Sequence, residues 1–129
     1  MKSQGGRIFG IFNLDNEIAK LPPDPDTEAR HRAETLIKTE TIRVVLVTML
    51  AEGQLTEHTS PGPITAQVLS GRISVEVSGE TKELGTGDLI SVVPGVRVEV
   101  TGLEDGAFLL TIAHLSHPPD RGGRDGEES

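Results

Sequence analysis

Ile73-Ser74-Val75-Glu76-Val77, followed by Ser78-Gly79-Glu80 and then Lys82 to Leu84, is the stretch that decides the fold. Its apolar and polar residues alternate with period two, the pattern of a strand with one buried face. Ser78-Gly79-Glu80 reads as the turn of a hairpin, and Lys82 to Leu84 continues the ladder on the return. Working outward, Thr65 to Ser70 forms a further apolar run before it. After it, Gly85-Thr86-Gly87-Asp88 punctuates the chain ahead of Leu89 to Val93, and Pro94-Gly95 turns it again. Val96-Arg97-Val98-Glu99-Val100 alternates as cleanly as the first stretch, and Gly102 to Gly106 reads as a turn into a last strand, Ala107 to Leu115. Short strands with a turn signal about every 8–12 residues predict an antiparallel sandwich or barrel. A parallel sheet needs helices between its strands, and the chain leaves no room for them.

Upstream, Ile42 to Leu50 is apolar on both faces, with Val44, Leu46 and Leu50 on one and Val45, Val47 and Met49 on the other. Such a strand needs cover on both sides. Residues 1–40 read as an extension that packs on the barrel or on a partner, with helical turns predicted between Asp26 and Ile37 behind Pro25. Residues 41–115 make the barrel. Residues 116–129, with Pro118, Pro119, several glycines and mixed charge, read as a disordered tail.

Composition removes several function classes. At 129 residues the chain suits a single domain. It has no cysteine, so disulfides, thiolate metal sites and cysteine nucleophiles are excluded. Twenty acidic against twelve basic residues leave a net charge of −8, which disfavours nucleic acid and anionic membrane as partners. Three Phe with no Tyr or Trp offer little for bases to stack on. The apolar run Ile8 to Phe12 is too short for a signal peptide and is followed by Asp15 and Glu17, so a cytoplasmic location is expected.

Two motif-like blocks remain. Gly53-Gln54-Leu55-Thr56-Glu57-His58-Thr59-Ser60-Pro61-Gly62-Pro63-Ile64 runs on to Val68-Leu69-Ser70-Gly71, and Gly87-Asp88 is followed by Pro94-Gly95. The first resembles the opening motif of the cupin superfamily, a Gly, five residues, His-x-His, a Glu three or four residues on, six more residues and a Gly. The second is similar to the superfamily's Gly-Asp and Pro-x-Gly-x-x-His. The resemblance spans residues 42–113 and implies a small antiparallel jelly-roll barrel. It also implies a divalent metal inside the barrel, held by three His and a Glu. Carried over position by position, the first His is His58, but Ser60, Ile64 and Val98 stand at the other three. Ile64 and Val98 have no donor atom, and a catalytic metal needs about three converging protein ligands.

The reading that follows is a metal-free barrel, a small-molecule-binding or structural module rather than an enzyme. Its barrel mouth would be lined by His58, Ser60, Ile64 and Val98, its occupant an uncharged small molecule, and no cofactor is expected. The alternative is a metal-dependent oxygenase or isomerase with an atypical ligand set around His58. A Ser60–His58 nucleophile lacks an orienting acid, since alternation turns Glu57 to the opposite face. His31, His114 and His117 do not form a metal-binding spacing and read as surface residues. A homodimer is expected, with Val45 and Val47 in its interface and residues before Thr41 reaching across.

Overall fold

The computed structural model describes residues 7–57 and 60–114. Asn13 opens a short helix, α1 (Leu14–Ala19), by accepting a hydrogen bond from Asn16 N at 2.9 Å on its side-chain oxygen. Asp15 and Glu17 lie in its first turn, where the helix dipole favours acids. Seven strands follow: β1 (His31–Lys38), β2 (Ile42–Met49), β3 (Gln54–Glu57), β4 (Ile64–Val77), β5 (Glu80–Gly85), β6 (Leu89–Val92) and β7 (Val98–Ala113). All pair antiparallel.

The long strands β4 and β7 pair along most of their length and run through both halves of the barrel. The order β1-β2-β7-β4-β6 makes one half, from the C-terminal part of β7 and the N-terminal part of β4. The order β3-β7-β4-β5 makes the other, from their remaining parts. Register slips between Val68 and Ile73 mark the corner where the two strands pass from one half to the other. Glycine is required there. Gly71 has φ +81, and a Cβ on it would come within 2.5 Å of the Asp105 carbonyl oxygen. A Cβ on Gly106 would fall on the carbonyl of Ser70.

The turn read over Gly102 to Gly106 is therefore a bend inside the continuous strand β7, and Gly71 likewise lies inside β4. Glycine lets both strands bend, in β7 where a chain reversal was expected. The Ser78-Gly79 turn is a true two-residue hairpin, with φ +52 and +82 suiting the right-handed strand twist.

One apolar cluster fills the interior. It joins Val45, Val47 and Met49 of β2 to Phe108, Leu110 and Ile112 of β7, and to Ile64, Val75 and Val98 among others. This placement corrects two expectations. Val45 and Val47 are 7% and 0% exposed inside the barrel, so neither is available to a subunit interface. The outward face of β2 is covered by the chain itself: Leu46 is 0% and Thr48 2% exposed, and Thr48 Oγ1 donates to the carbonyl of the buried Leu21 at 2.6 Å. The stretch expected as helix is β1, which pairs with β2 from His31↔Met49 to Lys38↔Arg43, so the sheet begins at residue 31. Arg30, in the left-handed region with φ +55, turns the chain into it. No helix among the described residues is long and apolar enough to cross a membrane.

Candidate functional site

Ladder partners carry their side chains on the same side of a sheet. A row runs Lys38↔Arg43↔Ile112↔Ile64↔Val92 across the first half of the barrel. Ile112, Ile64 and Val92 are buried core residues, so Arg43 is turned toward the interior with them. A second row runs Glu57↔Val98↔Val77 across the other half. Val98 is 3% exposed, so Glu57 also faces inward. Arg43 Nη2 and Glu57 Oε2 meet at 4.0 Å, with side chains 37% and 28% exposed.

Between β1–β2 and β3 lies a slot of about 160 Å³. Val45, Val47, Leu55, Leu110 and Ile112 give it apolar walls, Ala33 and Thr35 border it from β1, and Arg43 and Glu57 are its charged residues. Two side-chain contacts cross the gap, beside a main-chain bond from Gln54 N to the Ala29 carbonyl at 2.9 Å. His31 Nδ1, carrying the ring proton, donates to the Gln54 carbonyl at 2.8 Å, and Arg43 faces Glu57. The first is a hydrogen bond; the second is too long for one. A larger and shallower cavity, about 390 Å³, opens between β5 and β6 beside Val75, Val77, Ile90 and Val92. Its charged residues, Lys82 and Glu80, are 63% and 72% exposed and pair with each other in solvent, so nothing charged is held inside it.

The residues singled out from the sequence take separate places. His58 and His117 lie outside the described residues. Ser60 is 6% exposed; its Oγ accepts from Gly62 N at 3.4 Å and its carbonyl from Gly95 N at 2.9 Å, so it shapes the loop before β4. Ile64 and Val98, 3% exposed each, belong to the core cluster. Neither lines the slot, yet each is the ladder partner of a residue that does, Ile64 of Ile112 and Val98 of Glu57. Gly87-Asp88 is turn chemistry: Asp88 Oδ2 accepts from Gly85 N at 2.9 Å, and Gly87 N donates to the Val68 carbonyl. His31 bridges two strands, and His114 N closes β7 onto the Thr41 carbonyl.

The described residues do not suit the metal that the resemblance implies. Two of its four positions are apolar core side chains, and Ser60 Oγ is taken up by its own turn. No group of three His, Cys, Asp or Glu among the described residues is placed to hold an ion. Arg43 and Glu57 escaped the sequence reading although a signal was present: Arg43 stands in period-two register with Val45, Val47 and Met49, and Glu57 with Leu55.

No protein-family model and no curated protein matches the chain. Solved structures do. A conserved protein of unknown function from Streptococcus pyogenes superposes with TM-score 0.67 at 17% identity, over 87% of this chain and 93% of that one. A cupin superfamily protein from Desulfitobacterium hafniense gives TM-score 0.63 at 13% identity, over 70% and 84%. Salicylate 1,2-dioxygenase from Pseudoaminobacter salicylatoxidans gives 0.63 at 18%, covering 77% of this chain and 31% of its own. The chain has the cupin fold, a small antiparallel jelly-roll barrel. Neighbours that include an enzyme and a protein of unknown function leave the role to be argued from the site.

Proposed function

We propose that this cupin-fold barrel is a metal-free small-molecule-binding module, with the slot between β1–β2 and β3 as its site. The observation that carries this is the Arg43–Glu57 pair. Two half-buried charges face an otherwise apolar interior at 4.0 Å, beyond hydrogen-bond reach. Half-burying a charge costs solvation, and a structural pair normally recovers it through close contact. This pair leaves guanidinium donors and carboxylate lone pairs for a third party. Apolar walls with a few convergent polar groups are the usual make-up of a ligand site. Ile64 and Val98, where the fold family carries metal ligands, support the metal-free part of the reading.

Two measurements test it. Benzene titrated into methyl-labelled protein should shift the methyl resonances of Val45, Val47, Leu110 and Ile112; shifts confined to other sites would overturn the slot. Elemental analysis of untagged protein should find no stoichiometric transition metal. A stoichiometric ion that vanishes in His58→Ala would overturn the metal-free reading.

The same proposal includes pairing of two copies, now through the N-terminal segment. Ile8, Phe9 and Ile11 are 68%, 88% and 87% exposed, an apolar run that a soluble surface seldom leaves uncovered. Two-fold dimers are the commonest closed assembly.

A further inference from the structure

Resting on the slot as the binding site, we infer that its ligand is a zwitterion with a compact apolar body, the chemistry of an α-amino acid with a branched aliphatic side chain. The charge pattern selects the head group. A simple carboxylate would suit Arg43 but meet the negative charge of Glu57 beside it, and a simple amine would suit Glu57 but meet Arg43. Each would leave one half-buried charge facing a like charge.

An ammonium and a carboxylate on one carbon satisfy both. Laid across the pair, the four groups alternate in sign around a square, with the carboxylate on the guanidinium fork and the ammonium on Glu57. The site and its ligand then carry no net charge between them.

The walls select the body. A dry apolar cavity of about 150 Å³ accommodates benzene, so the slot's volume of about 160 Å³ suits a body of similar bulk. The isobutyl group of leucine and the sec-butyl group of isoleucine fit within that size. Val45, Leu55 and Leu110 would meet the body, with the head left at Arg43 and Glu57.

The test uses the full chain and four probes: L-leucine, 4-methylpentanoate (no ammonium), 3-methylbutylamine (no carboxylate) and glycine (no body). L-leucine is expected to shift the slot methyls saturably. Each of the other three should bind about tenfold more weakly or worse, since each forfeits a partner of a partly desolvated group. Arg43→Gln should erase the advantage of leucine over the amine, and Glu57→Gln its advantage over the acid. Circular dichroism checks that both variants fold, and the four-probe comparison stands on the native protein alone. A monofunctional probe that binds as tightly as leucine would overturn the zwitterion. If benzene moves the slot methyls and leucine does not, the inference fails while the slot survives as a site. If neither moves them, both fail.

Discussion

Thr48 and Leu21 are joined across 27 residues by a hydrogen bond of 2.6 Å from a buried hydroxyl to a main-chain carbonyl. It pins the segment after α1 against the outward face of β2, where Leu46 is wholly buried. The doubly apolar β2 strand therefore finds its second cover in its own chain, and Val45 and Val47 stay free to form the barrel interior.

Removing that hydroxyl should be costly. Thr48→Val keeps the shape but strands the buried Leu21 carbonyl, an expected loss of about 1–3 kcal/mol. Thr48→Ser retains the donor and should lose less. Urea midpoints of the two variants, compared at equal slope, check the order.

Val47→Glu distinguishes a core position from an interface position. Val47 sits opposite Phe108, both 0% exposed, so the carboxylate would enter a packed interior at a cost on the order of several kcal/mol. The melting temperature should fall by the same amount at every protein concentration. A loss that shrinks as concentration rises would return Val47 to a subunit contact.

Gly71 and Gly79 share a left-handed φ, +81 and +82, but not their surroundings. A Cβ on Gly79 meets nothing within 4 Å, whereas one on Gly71 meets the Asp105 carbonyl. Gly79→Ala should cost about 1–2 kcal/mol from backbone strain alone. Gly71→Ala should cost clearly more, because the corner must also shift. Denaturation of both variants under one set of conditions gives the difference directly.

For assembly, light scattering of the native protein is expected to give the mass of two chains. The triple variant Ile8→Ser, Phe9→Ser, Ile11→Ser should give one, with its circular dichroism unchanged because these side chains touch little of the barrel. A native mass of one chain would remove the dimer.

The strands were legible where burial follows the pleat. Ile73 to Val77 and Val98 to Val100 alternate because one side faces the core and the other water. β1 was not legible. Its sequence HRAETLIK mixes helix-favouring Ala, Glu, Leu and Lys, its residues are exposed or half-buried, and only pairing with β2 holds it extended. The strand bends were hidden for another reason: a glycine that turns a chain back and one that lets a strand bend look alike in sequence. At the site, the lack of a donor atom at Ile64 and Val98 could be read from residue types alone. The Arg43–Glu57 pairing could not, since it joins β2 to β3 through contacts that only the closed barrel makes.

The slot also runs along a seam. β1 pairs in a ladder only with β2 and β3 only with β7 among the described strands, so no ladder closes the gap between them. The gap is tied at its His31 end by the His31–Gln54 bond and by Gln54 N donating to the Ala29 carbonyl at 2.9 Å. Widening it toward the Arg43 end breaks no main-chain hydrogen bond, and the Arg43–Glu57 contact there is the looser of the two side-chain contacts that cross it. Opening of the slot is thereby separated from the integrity of the barrel. Under the proposed function a guest would come and go on the timescale of side-chain and edge-strand breathing, with the long β4–β7 ladder left intact.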